Sequence, residues 1–504
     1  MRAAPSAAAS DYADIQGLLR FGHGQASRAC SYALRIRDAD AARAWLRSTA
    51  VTDAVRLEQR PTHAVQVGLT ARGMSALGVP DRIVRSFSPE FVSGMADDDS
   101  RSRRLGDVDA SAPSRWRWGA GDRVPDVLVM LFATPDTWST WEQKVTGHPW
   151  TQAYDVIARL PAADLDATEP FGFADGISQP ELDWAQSRAF RTEEPAYTNL
   201  AFLGEFVLGY RNEYGRFTDR PLLDAGPAVD LPAALDAPDK ADLGRNGTYL
   251  VFRDLLQDGR RFWQYLHANA ASSITAQRLA EAMVGRTMSG EPLVPSQRGP
   301  IPGVGRTADK MRLNQFTFEG DPHGDQCPLG GHVRRANPRT GDLAGPVRGP
   351  ISRLVHRLGF AVNGIADDRV ASTRFHRVLR RGRKYGPTMT IDEALAPPPA
   401  SDPERGLYFV ALNANIARQF EFIQNAWLMS DTFEGLSRES DPLVGNRSGR
   451  TPADPCDTFT IPRPGTAGER LYGLPHFVTV RAGGYFFLPG VRALRYLATV
   501  APQR

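Results

Sequence analysis

The chain has 504 residues, of which 42% are hydrophobic and 23% are charged, and its formal net charge is +3. This composition is typical of a folded globular protein and excludes a disordered, collagen-like or coiled-coil chain. The small net charge gives no support for a nucleic-acid partner. The sequence contains no run of about 18 apolar residues, so we expect no membrane span.

The cysteines and the first residues bear on the cellular compartment. Cys30, Cys327 and Cys456 are too few for a disulfide framework and fit a reducing environment. The opening stretch MRAAPSAAASDYAD lacks the continuous apolar core of a signal peptide. We therefore expect a cytoplasmic protein.

The first part of the chain alternates strand-like and helix-like segments, which favours an α+β or α/β layer structure. Apolar residues recur with the period of a strand or form short apolar runs, and Asp38 and Pro135 are suited to begin helices. These patterns predict strands at 32–37, 63–70, 127–133 and 154–160, and helices at 39–49 and from 135 through 141.

The second part repeats this mixed character around two loops rich in glycine and proline. A segment rich in Pro, Ala and Asp at 216–245 is interpreted as a surface linker or insertion. The predicted strands are 248–253, 407–413 and 476–488, the predicted helices are 260–270, 274–285, 416–429 and one from Val491, and the loops are 286–350 and 438–468.

Asp175 lies in the segment GFADGISQP at 172–180, between two glycines. Glycines at this spacing permit a tight turn that holds one carboxylate in a fixed place. An ordinary turn stabilised by the aspartate side chain is an equal alternative for this segment alone.

His332 lies in the segment CPLGGHVRRANPR at 327–339. A histidine after two glycines in a loop is a candidate acid/base group or metal ligand. Together with Cys327 it could form half of a zinc site, but no second pair lies at a suitable spacing. A purely structural histidine is the alternative.

Two further segments are candidates for the same site. The basic run VLRRGRKYG at 378–386 is either a solvated strand or a source of one arginine aimed at negative charge. In GLYFVALN at 406–413, Leu407 and Phe409 share one face of a strand, which is either core or the dry wall of a cofactor pocket.

Taken together and in this order, these segments resemble those of the dye-decolorising peroxidases, a family of haem enzymes. GFADGISQP resembles the family's GxxDG motif, CPLGGHVRRANPR the segment of its proximal histidine, and VLRRGRKYG the segment of its distal arginine. The resemblance covers the chain from about Asp14 onward and looks nearest to the larger bacterial branch.

The resemblance implies an α+β fold of two ferredoxin-like domains with antiparallel sheets and peripheral helices, at 12–190 and 200–504. It implies haem b, held mainly by the second domain, and a peroxidase that uses hydrogen peroxide to oxidise bulky aromatic, phenolic or dye substrates in one-electron steps. A haem-binding or haem-handling protein with little turnover, and a haem-free interaction module, are the alternatives.

The resemblance also assigns roles to matching residues. His332 would be the axial ligand of the haem iron, Asp175 the distal acid/base and Arg380 the distal arginine, with Arg381 as the fallback. Glu421 is the guess for the acid that hydrogen-bonds His332. Further haem contacts are expected from Gly176, Ile177, Ser178, Asn337, Pro338, Arg339 and Arg380, with Leu407 and Phe409 narrowing the distal pocket.

The residue types fit this chemistry. A carboxylate can take the proton that peroxide must lose and return it to the leaving oxygen. Because aspartic acid has an ordinary pKa of about 3.9, it remains a base in acid where a histidine is protonated. The sequence therefore predicts an acidic pH optimum, with Asp175 as the base and Arg380 as the fixed positive charge.

Overall fold

The computed structural model describes the chain except for segments at both ends and in several loops. The described residues are 10–57, 61–165, 168–190, 198–224, 226, 230–271, 274–295, 312–340, 372–449, 455–463 and 468–500. The first nine residues, and large parts of the predicted loop at 286–350, lie outside this set.

Antiparallel strands make up the framework of the fold. In chain order the strands are β1 (Arg28–Ile36), β2 (His63–Leu69), β3 (Val127–Ala133), β4 (Tyr154–Pro161), β5 (Glu181–Leu182), β6 (Leu200–Ala201), β7 (Leu222–Asp224), β8 (Lys240–Asp242), β9 (Thr248–Gln257), β10 (Leu379–Arg380), β11 (Arg383–Tyr385), β12 (Gly406–Asn413), β13 (Phe459–Ile461), β14 (Glu469–Leu471) and β15 (Val478–Leu488).

Helices surround the strands. The α-helices are α1 (Ala39–Ser48), α2 (Ala71–Ala76), α3 (Asp81–Val84), α4 (Pro89–Ser93), α5 (Asp99–Leu105), α6 (Trp138–Thr146), α7 (Trp150–Ala153), α8 (Gly259–Ala268), α9 (Ala276–Val284), α10 (His332–Ala336), α11 (Ile391–Leu395) and α12 (Val491–Leu497). Short 3₁₀ turns lie at Gly17–Leu19, Asp109–Ser111, Pro113–Arg115, Gly121–Arg123, Leu203–Glu205, Ser372–Phe375 and Phe433–Gly435, and π-helical turns at Ala417–Glu421 and Ile423–Leu428.

One sheet joins strands from the two halves of the chain. Among the described residues it has nine strands in the order β10-β12-β9-β15-β2-β3-β1-β4, with β11 also beside β12. The halves meet where Phe487 of β15 pairs with Leu69 of β2. The predicted boundary between domains near 190–200 stays a prediction, because the sheet runs across both halves without a break.

Apolar side chains cover both faces of this sheet. On β9, Tyr249 and Val251 belong to one core cluster, whereas Leu250 and Phe252 belong to a second cluster on the opposite face. Alternate residues of a strand point to opposite faces, so a continuous apolar run such as 249–252 is buried on both sides. The site described below lies beside the β9 and β12 end of the sheet.

Most predicted elements are confirmed. However, α10 (His332–Ala336) and β13 (Phe459–Ile461) lie within the predicted loops 286–350 and 438–468, and two further segments differ from expectation. The predicted helix at 416–429 has wide π-type turns, and Gln419 donates hydrogen bonds to the carbonyls of Glu205 (2.9 Å) and Arg377 (2.6 Å). The segment 216–245 is not only a surface linker, since it holds the hairpin of β7 and β8 and a buried contact between Arg220 and Asp242. Both differences involve contacts between residues that are far apart in the sequence, which local sequence patterns do not predict.

Candidate functional site

A cavity of about 310 Å³ lies beside the sheet and brings the four predicted segments together. Its volume is in the range of small-molecule and cofactor sites. Residues from the glycine-rich turn, from α10, from the basic strand and from β12 all line it: Asp175, Ile177, Ser178, His332, Asn337, Arg380, Leu407 and Phe409.

Gly176, Pro338 and Arg339 do not belong to the described residues that line the cavity. Arg339 turns into the protein, where its guanidinium donates to the carbonyls of Asn314 (2.8 Å) and Phe316 (3.0 Å). The expectation that Gly176 lines the haem and that Pro338 and Arg339 run past its edge stays a prediction.

His332 begins α10 directly after Gly330 and Gly331. Its Nδ1 lies 2.9 Å from Oδ2 of Asp441, so Nδ1 donates to this carboxylate. The Asp441 side chain is fully buried, while 30% of the His332 side chain is accessible and faces the cavity. The Nε2 atom, on the far side of the ring, is the nitrogen available to a ligand in the cavity.

Asp441 and His332 stabilise each other's charged forms. Burial opposes ionisation of Asp441, but His332 and the backbone N–H of Val444 lower the pKa of its carboxyl group below the ordinary value. Burial also opposes protonation of His332, but Asp441 raises its pKa. A histidine held in this way by a carboxylate is a stronger electron donor through its other nitrogen.

The prediction that Glu421 forms a hydrogen bond with His332 is wrong. Glu421 accepts a hydrogen bond from Tyr485 (2.9 Å) and forms an ion pair with Arg101 (2.8 Å). Asp441 occupies the partner position because Leu443 and Val444 donate their backbone N–H groups to its Oδ1, which turns Oδ2 toward His332. An aspartate that begins a turn was visible in the sequence, but its pairing across 109 residues was not.

Glycine and arginine residues fix the position of α10. A Cβ at Gly330 would overlap the carboxylate of Glu439, so a larger residue there would have to displace Glu439. Arg335 of α10 is fully buried and donates to the carbonyls of Trp427 (2.7 Å), Ser430 (3.0 Å) and Glu439. These contacts tie the helix of His332 to the segment that leads into Asp441.

Asp175 and Arg380 meet in the cavity. Nη1 of Arg380 lies 3.2 Å from Oδ1 of Asp175. The side chain of Gln179 holds their two segments together, because it accepts from the Arg380 N–H (3.0 Å) and donates to the Arg380 carbonyl (3.1 Å). Arg381 points the other way and donates to the carbonyls of Leu18 and Leu19. Arg380 rather than Arg381 therefore faces the cavity, because neighbouring side chains on an extended strand point to opposite sides.

Two charged residues that the sequence did not single out also line the cavity. Arg286 donates to Ser178 (2.8 Å) and to the Gly290 carbonyl (2.7 Å), and burial, aided by nearby arginines, lowers its pKa to about 9. Glu169 lies six residues before Asp175, and burial raises its pKa to about 7. In the sequence, the feature that could have indicated Glu169 is its position just before a turn that contains glycine.

The walls fit an apolar cofactor that also carries acidic groups. Leu407 and Phe409 project from β12, and most of the surface that lines the cavity is apolar. Arg286, His376 and Arg377 also line it and would suit carboxylates. One imidazole with an available Nε2, supported by a carboxylate, is the donor that a haem iron takes from a protein. The residues present therefore fit haem.

No family model matches the sequence. Among curated proteins, a dye-decolorizing peroxidase of Mycetinis scorodonius is 28% identical over 522 residues, covering 99% of this chain and 89% of the relative. A multifunctional dye peroxidase of Amycolatopsis is 28% identical over 452 residues, covering 86% and 81% of the two chains.

Solved structures agree over nearly the whole chain. A decolorizing peroxidase of Auricularia auricula-judae has a TM-score of 0.70 at 24% identity and covers 97% of this chain and 100% of its own. The chain is related to the dye-decolorising peroxidases. A DyP-type peroxidase of Anabaena gives a TM-score of 0.68 at 21% identity, covering 96% of this chain and 94% of its own. The predicted α+β fold of ferredoxin-like units, and the resemblance to dye-decolorising peroxidases, are confirmed.

None of the helices in the described part of the chain is long and apolar enough to cross a membrane.

Proposed function

We propose that the protein is a haem b peroxidase that uses hydrogen peroxide to oxidise bulky aromatic or phenolic compounds, dyes among them, in one-electron steps. The observation that carries the proposal is that His332, bound to Asp441, shares one cavity with the Asp175–Arg380 pair. The relatives support it, since they are named as dye-decolorising peroxidases and one similar structure of that family is a complex with 2,6-dimethoxyphenol.

On this proposal, His332 binds the haem iron through Nε2, and Asp441 holds the ring in the orientation and tautomer that this requires. The bound haem supplies a redox-active iron that exchanges electrons with peroxide and with the reductant. Ile177, Ser178 and Asn337 contact the haem from the cavity wall.

Asp175 is the proposed acid/base of the distal side. Its carboxylate takes the proton from one peroxide oxygen and returns it to the oxygen that leaves as water. Arg380 holds this carboxylate at 3.2 Å and supplies positive charge where negative charge develops. Because a carboxylate rather than an imidazole is the base, activity is expected to persist in acid.

Leu407 and Phe409 shape the space next to this pair. Both line the cavity and share one face of β12. They exclude water from the reacting oxygen atoms and restrict the distal side to small molecules such as peroxide. A bulky reductant would deliver its electrons from outside this space.

The test is the absorption spectrum of purified protein supplied with hemin, recorded before and after one equivalent of peroxide. We expect a Soret band that changes rapidly with peroxide and returns on addition of a phenol. A Soret band that only bleaches would indicate a haem-binding protein with little turnover. Protein that stays colourless with hemin would overturn the assignment of His332.

A further inference from the structure

Glu169 is a second carboxyl group in the cavity that contains Asp175. Its Oε1 accepts the backbone N–H of Phe173 (3.0 Å), and its Oε2 accepts the backbone N–H of Phe171 (3.0 Å). The side chain amide of Gln257, at the end of β9, donates to Oε2 as well (2.9 Å). One side chain therefore engages two backbone groups of the turn that leads to Asp175.

The backbone closes the same turn. The N–H of Glu169 donates to the carbonyl of Phe173 (2.9 Å), and the N–H of Gly172 donates to the carbonyl of Glu169 (2.9 Å). Gly172 has a φ of +98°, a conformation that glycine adopts without strain. Beyond the turn, Ala174 is anchored by its N–H to the carbonyl of Met288 (2.9 Å). The position of Asp175 thus follows from a turn built around Glu169.

The two carboxyl groups have different partners. Asp175 has the guanidinium of Arg380, while the hydrogen-bond donors recorded for Glu169 within the described residues are neutral. The charged groups that face Glu169 are Asp175 on the same loop and His332 on α10. Burial, and to a smaller extent the charge of Asp175, raise the pKa of Glu169 to about 7.

We propose that Glu169 is a positioning residue for Asp175: its carboxyl group folds the turn over 169–174 and so sets the place of the carboxylate paired with Arg380. The inference rests on the proposed function, because it concerns the group that takes the proton from peroxide. Glu169 acts through Asp175 and is not itself in contact with peroxide.

The experiment uses the hemin-loaded protein and measures two association rates by stopped-flow absorption, one for peroxide and one for cyanide. Hydrogen cyanide, like peroxide, must lose a proton as it binds, so its rate reports the distal base without any turnover. In E169Q the amide can accept only one of the two backbone N–H groups. We expect both rates to fall about tenfold, because small displacements of a positioned group are costly.

A double substitution separates positioning from a general structural effect. If Glu169 acts only through Asp175, then E169Q/D175N is no slower than D175N, whereas independent effects would multiply. The matched control is D183N, since Asp183 accepts the backbone N–H groups of Ser187 and Arg188 in a loop that does not line the cavity. D183N is expected to leave both rates within about twofold of wild type.

Rates of E169Q equal to those of wild type, or rates of the double variant that fall further than those of D175N, would overturn the inference. If E169Q does not fold, E169D keeps the carboxyl group but shortens its reach, and the same slowing is expected from it. Failure of the proposed function is distinguishable, because wild-type protein would then show no spectral change with peroxide at all.

Discussion

Asp175 depends on its neighbours for its position and its charge. It contacts Arg380, and the side chain of Gln179 joins the segments that carry the two residues. The sequence indicated Asp175 and Arg380 because glycines and arginines stood around them in a recognisable order. It did not indicate Glu169 or Asp441, since an acidic residue beside a turn is common and does not by itself mark a site.

Replacing Asp175 by Asn is expected to slow the reaction with peroxide by about 10²–10⁴-fold, because the amide cannot take a proton. The measurement is the rate of the Soret change after mixing with peroxide. Hemin uptake should equal that of wild type, since His332 is untouched. A rate within twofold of wild type would instead favour a haem-handling protein.

Replacing Asp441 by Asn is expected to weaken hemin binding by about 10–100-fold, the usual effect of losing a hydrogen-bond partner of a metal-binding histidine. Titration of apoprotein with hemin measures this. The control is E421Q, which alters a buried acid that bonds Tyr485 and Arg101 rather than His332. Equal losses in the two variants would contradict the assignment of Asp441.

Glu169 makes a pH-dependent contribution to the stability of the apoprotein. Its pKa is raised from 4.5 to about 7 in the folded chain, so between these values the folded state binds more protons than the unfolded state. Its contribution to the free energy of unfolding is therefore full below pH 4.5 and is lost as the pH rises to 7. Urea denaturation of wild type and E169Q between pH 4 and 8 measures this, and identical pH profiles would exclude it.

At the scale of elements, the neighbouring strands β9 and β12 each supply some residues to the core and others to the cavity. Leu250 of β9 is fully buried in the core, whereas Leu407 of β12 lines the cavity and is only partly buried. In the sequence both strands are runs of mostly apolar residues. This pattern does not distinguish residues that face the core from residues that line a cavity. The distinction depends on what packs against each face.

Replacing Leu250 by Ala is therefore expected to lower the free energy of unfolding by about 2–5 kcal/mol, as for other buried leucines. Replacing Leu407 by Ala should cost less stability and should instead change access to the cavity. Urea denaturation measures the first effect, and cyanide association with the hemin-loaded protein measures the second. A larger loss of stability for L407A than for L250A would contradict this division.

At the scale of the whole molecule, the N-terminal half helps to close the cavity of the C-terminal half. Leu105, Val108 and Ser111 line the cavity, and the adjoining Asp107 forms a buried ion pair with Arg253 of β9. Burial raises the pKa of Asp107 to about 6 despite the arginine. The ion pair thus connects the part of the cavity wall that the N-terminal half supplies to strand β9 of the C-terminal half.

Replacing Asp107 by Ala is expected to lower the free energy of unfolding by about 3–5 kcal/mol, because it leaves Arg253 buried without its partner. It should also speed hemin loss to a scavenger protein, since the cavity wall is released. The control is D81A, which breaks an exposed ion pair with Arg85 and should cost less than about 1 kcal/mol. If D107A and D81A changed the free energy of unfolding and the rate of hemin loss to a similar extent, the proposed role of the Asp107–Arg253 ion pair in holding the cavity wall would be contradicted.

The sequence by itself determined the strands and helices whose patterns are local, such as β3 at Val127–Ala133 and α12 at Val491–Leu497. It also determined which glycine-rich turn and which histidine stand out, because those signals lie within a few residues of one another. Only the tertiary structure decided that Asp441 rather than Glu421 holds His332, and that Glu169 shares the cavity of Asp175. These pairings depend on long-range packing, which no local spacing records.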